Sequence, residues 1–194
     1  MFLAPFFSLV LCLASLVLLV LISISMPLVK TFYFLHASQS GGVTFGEWGW
    51  CLDSGLRCSQ KALGIDWSPQ LVPWLTKALV LFPVAGGLTL LATFSLLPVL
   101  CTYRRDRFPT PLFGCLTFLA FVASAAALAF TLGLFITAKK RFQELGFEAS
   151  YGPSIWMAVA ATGSLAIVSL NSGCGCASGR GRFSRASPYL SYNV

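Results

Sequence analysis

Four stretches of this chain contain no Asp, Glu, Lys, Arg or His: Met1 to Val29, Ala78 to Tyr103, Phe108 to Ala138 and Ala149 to Gly179. A membrane span needs about 20 predominantly apolar residues, and a charged side chain at the bilayer centre costs about 3 kcal/mol on insertion scales. Each stretch is therefore long enough to cross with some tilt. Composition agrees, since 10% of the residues are charged where a soluble domain carries about 25%. So little polar surface cannot cover a water-exposed globule, and the chain reads as a membrane protein.

The expected architecture is an all-α, four-helix membrane bundle formed by residues 1–173, with spans over about 4–29, 75–100, 111–137 and 153–172. A loop over 30–72 and a short basic tail over 174–194 complete it. The first run could be read as a cleaved signal peptide, but no basic residue precedes its apolar core and the core is longer than such peptides use. It is taken as a retained span.

Orientation should follow the Lys/Arg bias of short loops. With a cytosolic N-terminus, the inside holds Arg104, Arg105, Arg107, Arg180, Arg182 and Arg185, six in all. The outside holds seven: Lys30, Arg57, Lys61, Lys77, Lys139, Lys140 and Arg141. The count does not decide. Cysteine does, because disulfides persist in exoplasmic compartments. Cys51 and Cys58 are the pair placed in an aqueous loop with turn residues Asp53, Ser54 and Gly55 between them, so a bridge there puts that loop outside and both termini in the cytosol. The Lys139-Lys140-Arg141 cluster then lies outside too, which requires the third helix to continue past the bilayer as a solvated stalk.

The loop carries the densest pattern in the chain, FGEWGWCLDSGLRC from Phe45 to Cys58. Val43 to Trp50 alternates as a strand would, with Thr44, Gly46, Trp48 and Trp50 on one face and Val43, Phe45, Glu47 and Gly49 on the other. A lone hairpin is marginal in water. A bridge closing this short ring adds about 2 to 3 kcal/mol through loop-closure entropy, and the indoles can lean on helix ends or sit at headgroup level.

Four spans with Gly46, Trp48 and Cys51 followed by Cys58 in the first outer loop resemble the claudin-type pattern. The finer pattern of Trp48, Gly49, Trp50 and Cys51, then Cys58 and Ser59, then Leu63, Gly64, Ile65 and Asp66, resembles the fungal PalI family and its eisosome-associated relatives. The two cysteines stand closer together than in claudins, and Trp50 occupies a position where Tyr looks typical of the fungal family. The resemblance implies a claudin-like bundle with a small disulfide-stapled extracellular β-hairpin in a fungal plasma membrane. Its relatives organise membrane domains beneath the cell wall, or help a partner membrane protein reach and stay at the surface. The C-terminal tail is shorter than the family's pattern, which puts in doubt a signalling role that depends on a long one.

The residues themselves argue against catalysis and transport. Proton and ion pathways use ionisable groups at membrane depth, and the four runs contain none. The chain holds one His and six carboxylate side chains, with no phosphate-cradling Gly loop, metal-ligand spacing or nucleophile elbow. No cofactor, metal or small-molecule substrate is expected. The net charge of +7 is spread over both sides of a membrane, which gives no soluble patch for nucleic acid.

Association features are present instead. Pro83, Gly86, Gly87 and Pro98 interrupt the second span, and small residues gather at Ser124 to Ala127 and at Ala158 to Gly163. Small residues let helices approach in lipid, either within this bundle or toward a partner; no heptad and no internal repeat is evident. Cys101, Cys174 and Cys176 are juxtamembrane candidates for lipidation. The six inner arginines are candidates for anionic-lipid contact, each contributing about 1 kcal/mol. Ser184 and Ser187 among them are candidates for phosphorylation, which would weaken that contact. His36, outside the first span, has no evident carboxylate partner and reads as an interfacial polar residue.

The expected function is a non-catalytic plasma-membrane tetraspan that organises membrane domains and supports partner proteins at the fungal cell surface, with lipids and either another integral membrane protein or copies of itself as partners. The alternatives are a dedicated accessory subunit of a cell-wall polymer synthase or of an ambient-pH-sensing receptor complex, and a channel or transporter subunit.

Overall fold

The computed structural model describes residues 3–25, 29, 31–54, 58–59, 77–101 and 111–179. Four helices among them are long and apolar enough to cross a membrane: α1 (Leu3–Ser23), α2 (Leu81–Cys101), α3 (Pro111–Glu144) and α4 (Pro153–Gly179). They close into a ring in which α1 and α3 each pack on both α2 and α4.

The buried face of each helix advances by alternating steps of four and three residues. On α1 it carries Ser8, Cys12, Ser15, Leu19 and Ile22, and on α2 Phe82, Ala85, Thr89, Ala92 and Leu96. On α3 it runs through Phe113, Thr117, Ala120, Ser124, Ala127, Thr131, Leu134, Ala138 and Phe142. That is a heptad spacing, absent from the sequence reading because its residues are small and polar rather than large and apolar. Leu, Val and Phe occupy the opposite faces, among them Val17, Leu91, Phe118 and Ile167. In hydrocarbon, large side chains gain nothing by facing another helix, whereas small ones let backbones approach and gain dispersion contacts.

Ser154 Oγ and Thr162 Oγ1 are buried without a partner, but other hydroxyls on the buried faces bond back to carbonyls of their own helix: Thr89 Oγ1 to Ala85 O and Thr131 Oγ1 to Ala127 O, both at 2.7 Å, and Ser172 Oγ to Val168 O at 2.9 Å. Satisfied in this way, they can sit at membrane depth. Ser15 Oγ and Ser164 Oγ pair between α1 and α4 at 2.7 Å. The prolines and glycines expected to interrupt the second span leave the helix continuous from Leu81 to Cys101, with Pro83 in its first turn, where proline is tolerated. Gly86 brings the α2 backbone against Leu19 of α1.

At one end the bundle carries a four-stranded antiparallel sheet ordered β3-β2-β1-β4, with β1 at Leu35–Ala37, β2 at Val43–Phe45, β3 at Trp50–Leu52 and β4 at Ala149–Tyr151. This corrects the expected hairpin. The α1–α2 connection supplies three strands, and the α3–α4 connection supplies the fourth, which pairs Leu35 with Tyr151 and Ala37 with Ala149.

Leu35, Ala37, Val43 and Phe45 face the helix ends and are fully buried. Phe34, just before β1, stacks on Phe135 at 5.3 Å and on Phe82 at 6.2 Å, while Phe45 meets Phe142 at 6.0 Å. The helix carrying two of these rings is long: 34 residues span about 51 Å at 1.5 Å per residue, against a hydrocarbon core of about 30 Å. Its extension is exposed on one face, at Lys140, Gln143 and Glu144, and packed on the other, where Ala138 and Phe142 are buried beneath the sheet.

Candidate functional site

The β2–β3 turn is where the Trp/Gly/Cys pattern acquires a physical meaning. Gly46 N–H donates to Gly49 O at 2.8 Å and closes a four-residue turn, so the strand expected over Val43 to Trp50 is two strands. The turn also reverses the expected facing of Trp50. Paired with Phe45, it packs its indole against the buried cluster rather than sharing a face with Thr44.

The turn is tied to the end of α1 by two bonds. Helix C-termini leave carbonyls without intrahelical partners, and Trp48 Nε1–H donates to one of them, Ser23 O, at 2.7 Å. The Glu47 backbone N–H donates to Ser25 Oγ at 3.0 Å. Trp48 thus acts as a side-chain cap on a helix distant in sequence.

Beyond β3 the chain folds back. Cys51 and Cys58 form a disulfide and an antiparallel bridge, with Ser59 N–H donating to Trp50 O at 2.8 Å. Thr44 Oγ1 donates to Cys51 O at 3.1 Å, and Asp53 N–H donates to Gly42 O at 2.9 Å. Gly42 has φ +103°, and a Cβ there would overlap the Asp53 carboxylate, so this corner requires glycine. Nε2 of His36 lies 2.7 Å from Oδ2 of Asp53. His36 therefore has the carboxylate partner that its neighbours in sequence do not reveal; the strand register brings in Asp53 across 17 positions.

Glu47 is the anomaly of the site. Its residue is 3% exposed, and neither Oε1 nor Oε2 has a hydrogen-bond partner. Burial raises its pKa to about 8, because a charge removed from water without a donor is strongly disfavoured. On the far edge of the sheet, Lys139 Nζ lies 4.3 Å over the Tyr151 ring, which gives one member of the basic cluster a contact at this end of the molecule. Gly152 then joins β4 to α4 through a bond from its N–H to Phe34 O at 2.8 Å. A Cβ on Gly152 would fall on the backbone carbonyl of Tyr33.

Of the residues singled out from sequence, Gly46, Trp48, Gly49, Trp50, Cys51 and Cys58 come together here. Leu63, Gly64 and Asp66 lie outside the described residues, as do Arg104, Arg105, Arg107, Arg180, Arg182, Arg185, Ser184 and Ser187. Cys101 ends α2, and Cys174 and Cys176 lie in the last turns of α4, all away from the sheet. Among the described residues no three His, Cys, Asp or Glu side chains group to hold a metal ion. Asp53, Glu47, Tyr151 and Gly152 were not anticipated; only Glu47, as the one acidic residue between two glycines and two tryptophans, carried a local signal.

Residues 4–168 match the model of the SUR7/PalI family. No curated protein matches the chain. The match covers most of the sequence, three of the spanning helices almost entirely, the first sixteen residues of α4 and all four described strands, and the chain belongs to the SUR7/PalI family.

Proposed function

We propose that this SUR7/PalI family protein is a non-catalytic plasma-membrane tetraspan that organises membrane domains and supports partner proteins at the fungal cell surface. The observation that carries this reading is the division of labour along the bundle axis. Four spans free of ionisable groups offer lipid and neighbours an apolar surface, and one end bears a sheet stapled by a disulfide and locked to three helices. Such an end presents a fixed shape to its surroundings. The disulfide favours an exoplasmic position for the sheet, which puts both termini in the cytosol. The claudin-like arrangement implied by the sequence pattern fits a role in lateral organisation.

On the cytosolic side, the six arginines Arg104, Arg105, Arg107, Arg180, Arg182 and Arg185 contact anionic lipid. Acylation of Cys101, Cys174 or Cys176 would add a second anchor, and phosphorylation of Ser184 or Ser187 would loosen the first.

The test is purification from the native membrane in mild detergent, followed by quantification of everything that accompanies the protein. Copies of itself, lipids and a spread of substoichiometric neighbours are the expected result. A single multi-span companion at matched amounts would replace the organising role with that of a dedicated accessory subunit, as for a wall-polymer synthase or a pH-sensing receptor.

A further inference from the structure

Glu47 occupies a position where a carboxylate should not be stable. Its backbone N–H is fixed on Ser25 Oγ, the next residue caps Ser23 O, and its own carboxyl oxygens are sealed from water with no donor in reach. Among the described residues, the elements around it supply no compensating charge. α1 contains no Asp, Glu, Lys, Arg or His. On β1, His36 is turned to the solvent side of the sheet and engaged with Asp53. The sheet end of α3 and the strand after it bring Lys139, Lys140, Arg141, Glu144, Glu148 and Tyr151; Lys139 is seated on Tyr151, and none of the others reaches the Glu47 oxygens. Lys77, at the start of the turn leading into α2, is exposed and does not reach them either.

We propose that Glu47 is held as a neutral carboxylic acid and serves as a proton-dependent latch fastening the β2–β3 turn to the end of α1. Loss of the proton to the aqueous phase leaves a carboxylate buried without a donor. The relief available to it is for the turn to lift, so that the side chain reaches water; the Trp48 and Glu47 bonds to α1 are then given up together. The disulfide and β1–β2 pairing lie on the other side of the turn, so the motion is confined to Gly46 through Gly49 and leaves the sheet intact.

The direction with pH follows from proton binding. The closed latch binds the proton more tightly than the open one, in which the side chain behaves as an ordinary carboxyl. Closure is complete below the open-state pKa and is lost progressively as pH rises toward the closed-state value of about 8, with the opening constant rising about tenfold per pH unit over that window and levelling off above it.

The decisive experiment is hydrogen exchange of the full chain in lipid nanodiscs, following the amides of Gly46 to Trp50 from about pH 5 to about pH 9, corrected for intrinsic exchange. Opening that climbs with pH in the wild type and stays flat in Glu47→Gln is the expected result. A flat wild type, or a Glu47→Gln variant that climbs as steeply, overturns the latch. Non-reducing peptide mapping of Cys51–Cys58 checks that the variant is folded. Should the variant not fold, the pH-difference infrared spectrum of the wild type decides alone. A protonated-carboxyl band persisting above about pH 6, where exposed carboxyls are ionised, upholds the proposal, and its absence refutes it.

Discussion

Between Thr117 and Thr131 the buried face of α3 offers its neighbours nothing larger than threonine, whereas further along the same helix the buried positions become Leu134, Phe135 and Phe142. The change comes as the helix nears the sheet and the end of its charge-free run at Ala138. Below that level lipid tails are as apolar as any side chain, so burial brings no hydrophobic gain and contact depends on how closely backbones approach. Above it water returns, removing apolar area from solvent is favourable again, and rings that stack at 5.3 to 6.2 Å become the efficient filling. One helix thus follows two packing rules, and the part of the protein with a distinctive shape is the part built under the second.

This contrast can be broken experimentally, and the largest effect should come from Phe34. Its ring bridges the sheet to α2 and α3, so Phe34→Ala should destabilise the sheet end by about 3 to 5 kcal/mol. Thermal unfolding in nanodiscs, read separately by sheet and helix signals, would show whether the bundle survives. A simultaneous loss of both would make the two regions one cooperative unit. Removing the staple by Cys51→Ser with Cys58→Ser should cost about 2 to 3 kcal/mol, seen as faster proteolysis of the first loop with the helices unaffected.

Trp48→Phe keeps most of the ring area but deletes the bond to Ser23 O, for an expected loss of about 1 kcal/mol. Exchange of the α1 C-terminal amides should report it. Ser15→Ala, inside the bundle, removes the pair with Ser164 and should cost only about 0.6 kcal/mol in a double-mutant cycle with Ser164→Ala. A value near that of Phe34→Ala would show that polar contacts, not close backbone approach, hold the bundle.

The bundle was legible in the sequence because the bilayer imposes a rule that needs no three-dimensional context: charged residues are expelled from about 20 positions at a time. The Cys51–Cys58 bridge was legible for a related reason, being a local pair in an aqueous loop. The sheet was not. Ala149 to Tyr151 is three residues long, lies at the edge of a charge-free run, and becomes a strand only by meeting Leu35 to Ala37. Reading Val43 to Trp50 as one strand missed a turn whose glycines stand at its two ends, and with it the inward direction of Trp50. The partnership of His36 and Asp53 depends on the same register. In each case the missing information was a pairing, which periodicity along one segment does not contain.

That the central strand β1 needs β4 as a neighbour also sets a timetable for biosynthesis. More than a hundred residues separate Phe45 from Ala149, and ribosomes add about 5 to 20 residues per second. For roughly 5 to 20 seconds the first loop must wait half-assembled, with Leu35, Phe34 and Phe45 lacking their final cover, while two further helices are made. The sheet therefore closes last, when the α3–α4 connection arrives to pair Ala149–Tyr151 with Leu35–Ala37.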